Sequence, residues 1–148
     1  MEAKQYLREL TQSIPVTSNL DVDIIDLSDD GVTLGAPLST HINYEGTAFG
    51  GSLNTICILA CYLSVHHFFR SKSISFDSLV IQDNSMKYIK PVDANFITVA
   101  RIENVESLLK TFKRRSIARA ELRCDVKRSD NFDTNLCSFT GRFVISAQ

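Results

Sequence analysis

The stretch Asn43-Tyr44-Glu45-Gly46-Thr47-Ala48-Phe49-Gly50-Gly51-Ser52-Leu53 runs directly into Asn54-Thr55-Ile56-Cys57-Ile58-Leu59-Ala60-Cys61-Tyr62-Leu63. From His41 to Gly51 it reads as a glycine-punctuated loop, and over 52–69 as a helix. Every residue from Ile56 to Leu63 is apolar, Cys or Tyr, so the helix has no polar face and must be enclosed. At the helical rise it spans roughly 27 Å, the width of a small domain. Gly50 and Gly51 lack a Cβ and let another backbone or a ligand come close. The first N–H groups of a helix have no intrahelical acceptor and sit at the positive end of its dipole. An oxyanion formed there gains about 3–4 kcal/mol per well-placed donor. The same two glycines would also serve tight packing of helix on sheet; the residues alone leave both readings open.

Outward from this segment the pattern becomes strand-like. Residues 2–12 form a short amphipathic helix, with Tyr6, Leu7 and Leu10 on one side, that Pro15 terminates. Residues 20–28 alternate with a slip at Ile24-Ile25. Asp29-Asp30-Gly31 is a turn, and 32–38 alternate again, which predicts a hairpin. Beyond the helix, strands are expected over 79–90 (stopped by Pro91), 95–103, 115–127 and 135–146, with 106–114 as a polar connection. The 115–127 segment has the cleanest period of two: Ala118, Ala120, Leu122, Cys124 and Val126 against a mostly charged face. In the 79–90 strand, Met86 and Tyr88 look inward. Asn84 then faces inward and Asp83 away, unless a bulge or a partner chain changes that. A long helix apolar all round requires a twisted antiparallel sheet that curls about it. The expected fold is therefore α+β, one domain over residues 1–148.

The motif Asn43-x-x-Gly46-Thr47-Ala48-Phe49-Gly50-Gly51-Ser52-Leu53 before an apolar helix resembles the hot-dog fold thioesterases. Tyr88-Ile89-Lys90-Pro91-Val92 is similar to the end of the strand that follows the helix in that fold. The nearest likeness is a bacterial group of thioesterase-like domains, some fused behind a GNAT-type acetyltransferase domain. This chain, at 148 residues, is too short to hold that domain as well.

The resemblance implies hydrolysis of an acyl-CoA or acyl-carrier-protein thioester, with coenzyme A present only as part of the substrate and no metal or other cofactor. It implies a homodimer or a dimer of dimers with sites at the subunit interface. The backbone N–H of Gly51 is the leading oxyanion donor. Asn43 holds the loop or the attacking water, although an Asx turn would employ it equally. Thr47, Gly50, Ser52, Asn54 and Asn84 are the expected substrate contacts; Ser52, Asn54 and Thr55 would alternatively cap the helix. The chain departs from the phenylacetyl-CoA-type relatives at two points. Ile58 stands where their helix carboxylate falls, and Phe49 where they tend to have His before the glycines. A general base must come from elsewhere, and Glu45 and Asp83 are the candidates. The missing helix carboxylate keeps a second reading in view, a non-catalytic acyl-thioester binding module. A dehydratase, which needs His and a carboxylate over the substrate, ranks last.

Residues 110–128 hold eight of the 16 basic residues; Arg114 and Arg115 could contact the phosphates of coenzyme A, or the cluster could be a solvated face. The net charge of −1 gives no basic surplus for nucleic-acid binding. The reading expects no membrane-spanning segment and no leader, and places the protein in the cytoplasm. Cys57, Cys61, Cys124 and Cys137 lie in apolar stretches without CxxC spacing and read as buried hydrophobes in a reducing compartment. His66 and His67 are expected to interact with the C-terminal end of the helix dipole.

Overall fold

The computed structural model describes residues 2–148. Helix α1 (Glu2–Ser13) is followed by a 3-10 turn at Pro15–Asn19 and the hairpin β1 (Asp23–Ser28)/β2 (Gly31–Ala36). A short helix α2 (Leu38–His41) leads into the loop and the central helix α3 (Gly50–Ser71). Then come β3 (Ser78–Tyr88), β4 (Phe96–Ile102), helix α4 (Val105–Arg115), β5 (Ile117–Arg128) and β6 (Cys137–Ser146). The strands form one six-stranded antiparallel sheet in the order β1-β2-β4-β5-β6-β3.

The sheet wraps α3. Ile56, Cys57, Ala60, Cys61, Leu63 and Val65 of the helix are sealed from solvent, as are the inward residues Ala120, Cys124, Val126, Phe139, Phe143 and Ile145 of the sheet. A buried hydroxyl fixes the helix to β2: Ser64 Oγ donates to the Ala60 carbonyl at 2.7 Å and accepts from Val32 N–H at 3.0 Å. α3 packs mainly on β2, β4 and β5 and barely touches β3. Its flank toward β3 (Asn54, Thr55, Ile58, Tyr62 and His66) is only half-buried, beside an edge strand of 11 residues.

Several expectations change in detail. The slip at Ile24-Ile25 is a bulge: pairing with β2 skips a residue between Ile24 and Asp26. Residues 106–114 are a helix, α4, rather than a connection. Val105, Leu108, Leu109 and Phe112 recur at helical spacing, and Leu108 and Phe112 are buried, with Phe112 packed edge-on against Phe69 at 5.0 Å. Asn104, just before α4, ties the helix start to β5: Nδ2 donates to Arg119 O at 2.9 Å and Oδ1 accepts from Glu121 N–H at 2.8 Å. α3, with 22 residues, is by length and composition apolar enough to cross a membrane, and most of its apolar stretch is buried inside the fold, as in a core helix. All four cysteines are free and buried. Donation of the Cys57 thiol to Cys124, together with burial, pushes Cys57 well above the ordinary thiol range, and burial does the same to Cys61.

Candidate active site

The loop before α3 is built around Asn43. Its Oδ1 accepts from the N–H groups of Glu45 at 2.9 Å and Thr47 at 3.1 Å, and its Nδ2 donates to Thr47 Oγ1 at 3.0 Å. The main chain closes the same turn, with Asn43 N–H to Thr47 O at 2.7 Å and Gly46 N–H to Asn43 O at 3.2 Å. Gly46 sits at φ 85°, the one glycine here that needs left-handed backbone. Asn43 is therefore committed to holding the loop. The loop is anchored on both sides: Phe49 N–H donates to His41 O at 2.7 Å and Ala48 N–H to Val92 O at 2.8 Å. His41 itself is 5% exposed with Nε2 2.6 Å from Leu20 O, a structural post rather than a reacting group.

This anchoring delivers the chain to Phe49, the N-cap of α3, whose side chain makes no capping bond. Leu53 N–H closes the first turn on Phe49 O at 3.2 Å. The N–H groups of Gly50, Gly51 and Ser52 find no acceptor among the described residues. The helix starts two residues earlier than the spacing predicts, so both glycines belong to its first turn. Their role is spatial. A Cβ on Gly50 would lie 3.3 Å from the Tyr88 ring, and one on Gly51 2.6 Å from the Phe49 ring. Gly51 is an exposed residue. Tyr88 donates its hydroxyl to the Gly50 carbonyl at 2.9 Å. Beside these groups lies a cavity of about 350 Å³ lined by Thr47, Gly50, Leu53, Tyr88 and Lys90, among others.

The remaining polar groups of the first turn differ in availability. Thr55 Oγ1 is used on the Gly51 carbonyl at 2.8 Å. Asn54 Oδ1 is buried with no hydrogen-bond partner, an acceptor that a water or substrate amide would satisfy. Ser52, two residues before it, is half-buried. Glu45 is exposed at the tip of the loop.

Asp83, Arg114 and Arg115 are not brought to this site within one chain. β3 carries a bulge between Ile81 and Asp83, after which Asp83 pairs with Arg142 while Asn84, Met86 and Tyr88 pair with Gly141, Phe139 and Cys137. The bulge swings Asp83 to the outer face, where Arg142 Nε donates to Glu121 Oε1 at 2.7 Å. Asn84 faces inward as expected, but is exposed near the middle of the edge strand. Arg114 and Arg115 end α4 at the Ile117–Ser146–Ser78 end of the sheet, whereas Tyr88 and the helix start lie at the Val126–Cys137 end. The separation is roughly 30 Å at the rise of a strand. His66 packs on Phe76 at 5.0 Å, and burial lowers its pKa, which favours a neutral ring over one charged by the helix dipole. Tyr88 is the site residue that sequence reasoning missed. Its inward register was readable, but its contact with a glycine 38 residues away was not.

The sequence that builds this loop and helix matches a known family. The family model described as "Putative thioesterase (yiiD_Cterm)" covers residues 3–147. The chain belongs to that family. The yiiD_Cterm domain is also similar in structure to solved proteins. One is the protein OLEI01261 of unknown function from Chlorobaculum tepidum TLS, with TM-score 0.86 and 24% identity over 99% of this chain and 94% of that one. A second is a "putative thioesterase" from Shewanella oneidensis, with TM-score 0.85 and 22% identity over 99% and 97%. A third is the thioesterase HI1161 from Haemophilus influenzae, with TM-score 0.72 and 17% identity over 95% and 90%. At these identities the likeness establishes the fold, which is the hot-dog arrangement of a sheet around a central helix. No curated protein matches the chain.

Proposed function

We propose that this yiiD_Cterm domain hydrolyses an acyl thioester of coenzyme A or of an acyl-carrier protein at the N-terminus of α3. The observation that carries this reading is the uncapped helix start with unpaired amides at Gly50, Gly51 and Ser52, where Gly51 is an exposed residue. The thioester carbonyl oxygen takes the Gly51 N–H. Water adds to the carbonyl carbon, and the oxyanion is held by that N–H and the dipole behind it. The C–S bond then breaks, and the proton lost by water ends on the leaving thiolate, giving a free acid and a thiol. Asn54 Oδ1, a buried acceptor without a partner near the helix start, orients the water. Glu45, on the loop that feeds the helix, is assigned as base in preference to the outward Asp83.

The reaction is placed in a homodimer in the cytoplasm. β3 is a bare edge with Val80 and Tyr88 exposed along it and Ile89 just beyond, and the flank of α3 beside it is half-covered. Antiparallel pairing of two β3 edges would bring the Ser78 end of one chain beside the Tyr88 end of the other. The basic end of one subunit would then lie nearer the helix start of its partner, where Arg114 and Arg115 could meet coenzyme A phosphates. Release of free thiol from a panel of acyl-CoAs, for wild type and Glu45→Gln, tests the reading. Turnover that falls in Glu45→Gln supports it. Tight acyl-CoA binding without turnover points instead to a binding module.

A further inference from the structure

The amide that presents Gly51 N–H has its carbonyl on Gly50. That carbonyl receives the Tyr88 hydroxyl at 2.9 Å, and the Tyr88 ring lies 3.3 Å from the position of a Gly50 Cβ. In a helix the C=O points toward the C-terminus and the N–H of the same peptide toward the N-terminus. Tyr88 therefore grips the far side of the peptide plane whose near side offers the free N–H. A hydrogen bond accepted by an amide oxygen polarises the whole peptide group and strengthens its N–H as a donor, by about 10–30% per bond. It also fixes the plane against rocking, at a point where a glycine pair leaves the backbone loose.

We propose that Tyr88 is a positioning residue: through the Gly50 carbonyl its hydroxyl orients and polarises the Gly51 N–H. The inference rests on the thioesterase reading for its kinetic consequence, but not for its structural one. Two features support it independently. Burial raises the Tyr88 phenol, so the hydroxyl keeps its proton and acts as donor at neutral pH. The backbone leads Tyr88 there: the bulge between Ile81 and Asp83 resets the alternation of β3 so that Tyr88 pairs with Cys137 on the helix side of the sheet.

The test is Tyr88→Phe, which keeps the ring against Gly50 and removes only the hydroxyl. Two readouts are needed, the backbone amide resonance of Gly51 in labelled protein and the steady-state constants for acyl-CoA hydrolysis. The proposal expects the Gly51 amide to shift while the melting temperature stays put. It expects kcat to fall about ten-fold with KM unchanged within two-fold, less than the 10²–10³-fold typical of deleting an oxyanion donor outright. An unmoved Gly51 amide, or an unchanged kcat in an active enzyme, overturns it. If wild type hydrolyses nothing, the thioesterase reading fails, and the amide shift alone decides whether Tyr88 polarises the peptide.

Discussion

The Phe49 ring rests against Gly51: a Cβ placed on Gly51 would lie 2.6 Å from the nearest ring carbon. Phe49 is 59% exposed, so it can swing away when pushed. Gly51→Ala should therefore leave the fold intact, its stability within about 1 kcal/mol of wild type, because the gain in helix propensity offsets the displaced ring. Thioester hydrolysis should fall about ten-fold from crowding at the amide, less than the loss of a whole donor. Chemical denaturation and a thiol-release assay on the same preparations check both halves.

The half-buried Asn43 side chain hydrogen-bonds the Glu45 amide and both the amide and the hydroxyl of Thr47. Asn43→Ala should cost about 1–3 kcal/mol and lower kcat by loosening the approach to α3. Asn43→Asp keeps the acceptor for the Glu45 and Thr47 amides and should be milder in both respects. Equal effects of the two substitutions in urea titrations would contradict the assigned geometry.

How much of this was legible depended on the kind of constraint. The enclosed helix followed from its unbroken apolar run, and the inward faces of β5 and β6 from strict alternation. The slip at Ile24-Ile25 marked a real bulge. α4 was lost because Lys110, Lys113, Arg114 and Arg115 mask a stripe of Val105, Leu108, Leu109 and Phe112, which is visible only when counted at period 3.6. At the site, the glycine pair and the role of Asn43 in the loop could be anticipated from local chemistry. The outward face of Asp83 was readable from alternation with Met86 and Tyr88; the Tyr88–Gly50 bond and the remoteness of Arg114 and Arg115 were not, since each depends on strand register across the sheet.

Phe112 tests whether α4 is integral to the core. It is 6% exposed and meets Phe69 at 5.0 Å. Phe112→Ala should destabilise by about 3–5 kcal/mol. A loss under about 1 kcal/mol in thermal or urea unfolding would mean that α4 is only loosely docked.

His66 gives the fold a pH dependence of definite sign. Burial lowers its pKa below the ordinary 6.5, so the unfolded chain takes up the proton first as pH falls. Its contribution is intact above pH 6.5 and is lost progressively from there down through the folded pKa. Glu9 and Arg70 line the same cleft as His66. Melting temperature should fall between pH 7 and pH 5, and less steeply in His66→Gln. Identical slopes would show that His66 is not protonated differently in the two states.

The central claim, that the Gly51 amide stabilises the oxyanion, is tested most directly by removing that one hydrogen. Proline is tolerated in the first turn of a helix and lacks the N–H. Comparing acyl-CoA hydrolysis by wild type, Gly51→Ala and Gly51→Pro, with circular dichroism to confirm the fold, separates loss of the donor from added bulk. The account predicts turnover by wild type, reduced turnover by Gly51→Ala, and a further loss of about 10²-fold in Gly51→Pro. Gly51→Pro that is folded and as active as Gly51→Ala would contradict it.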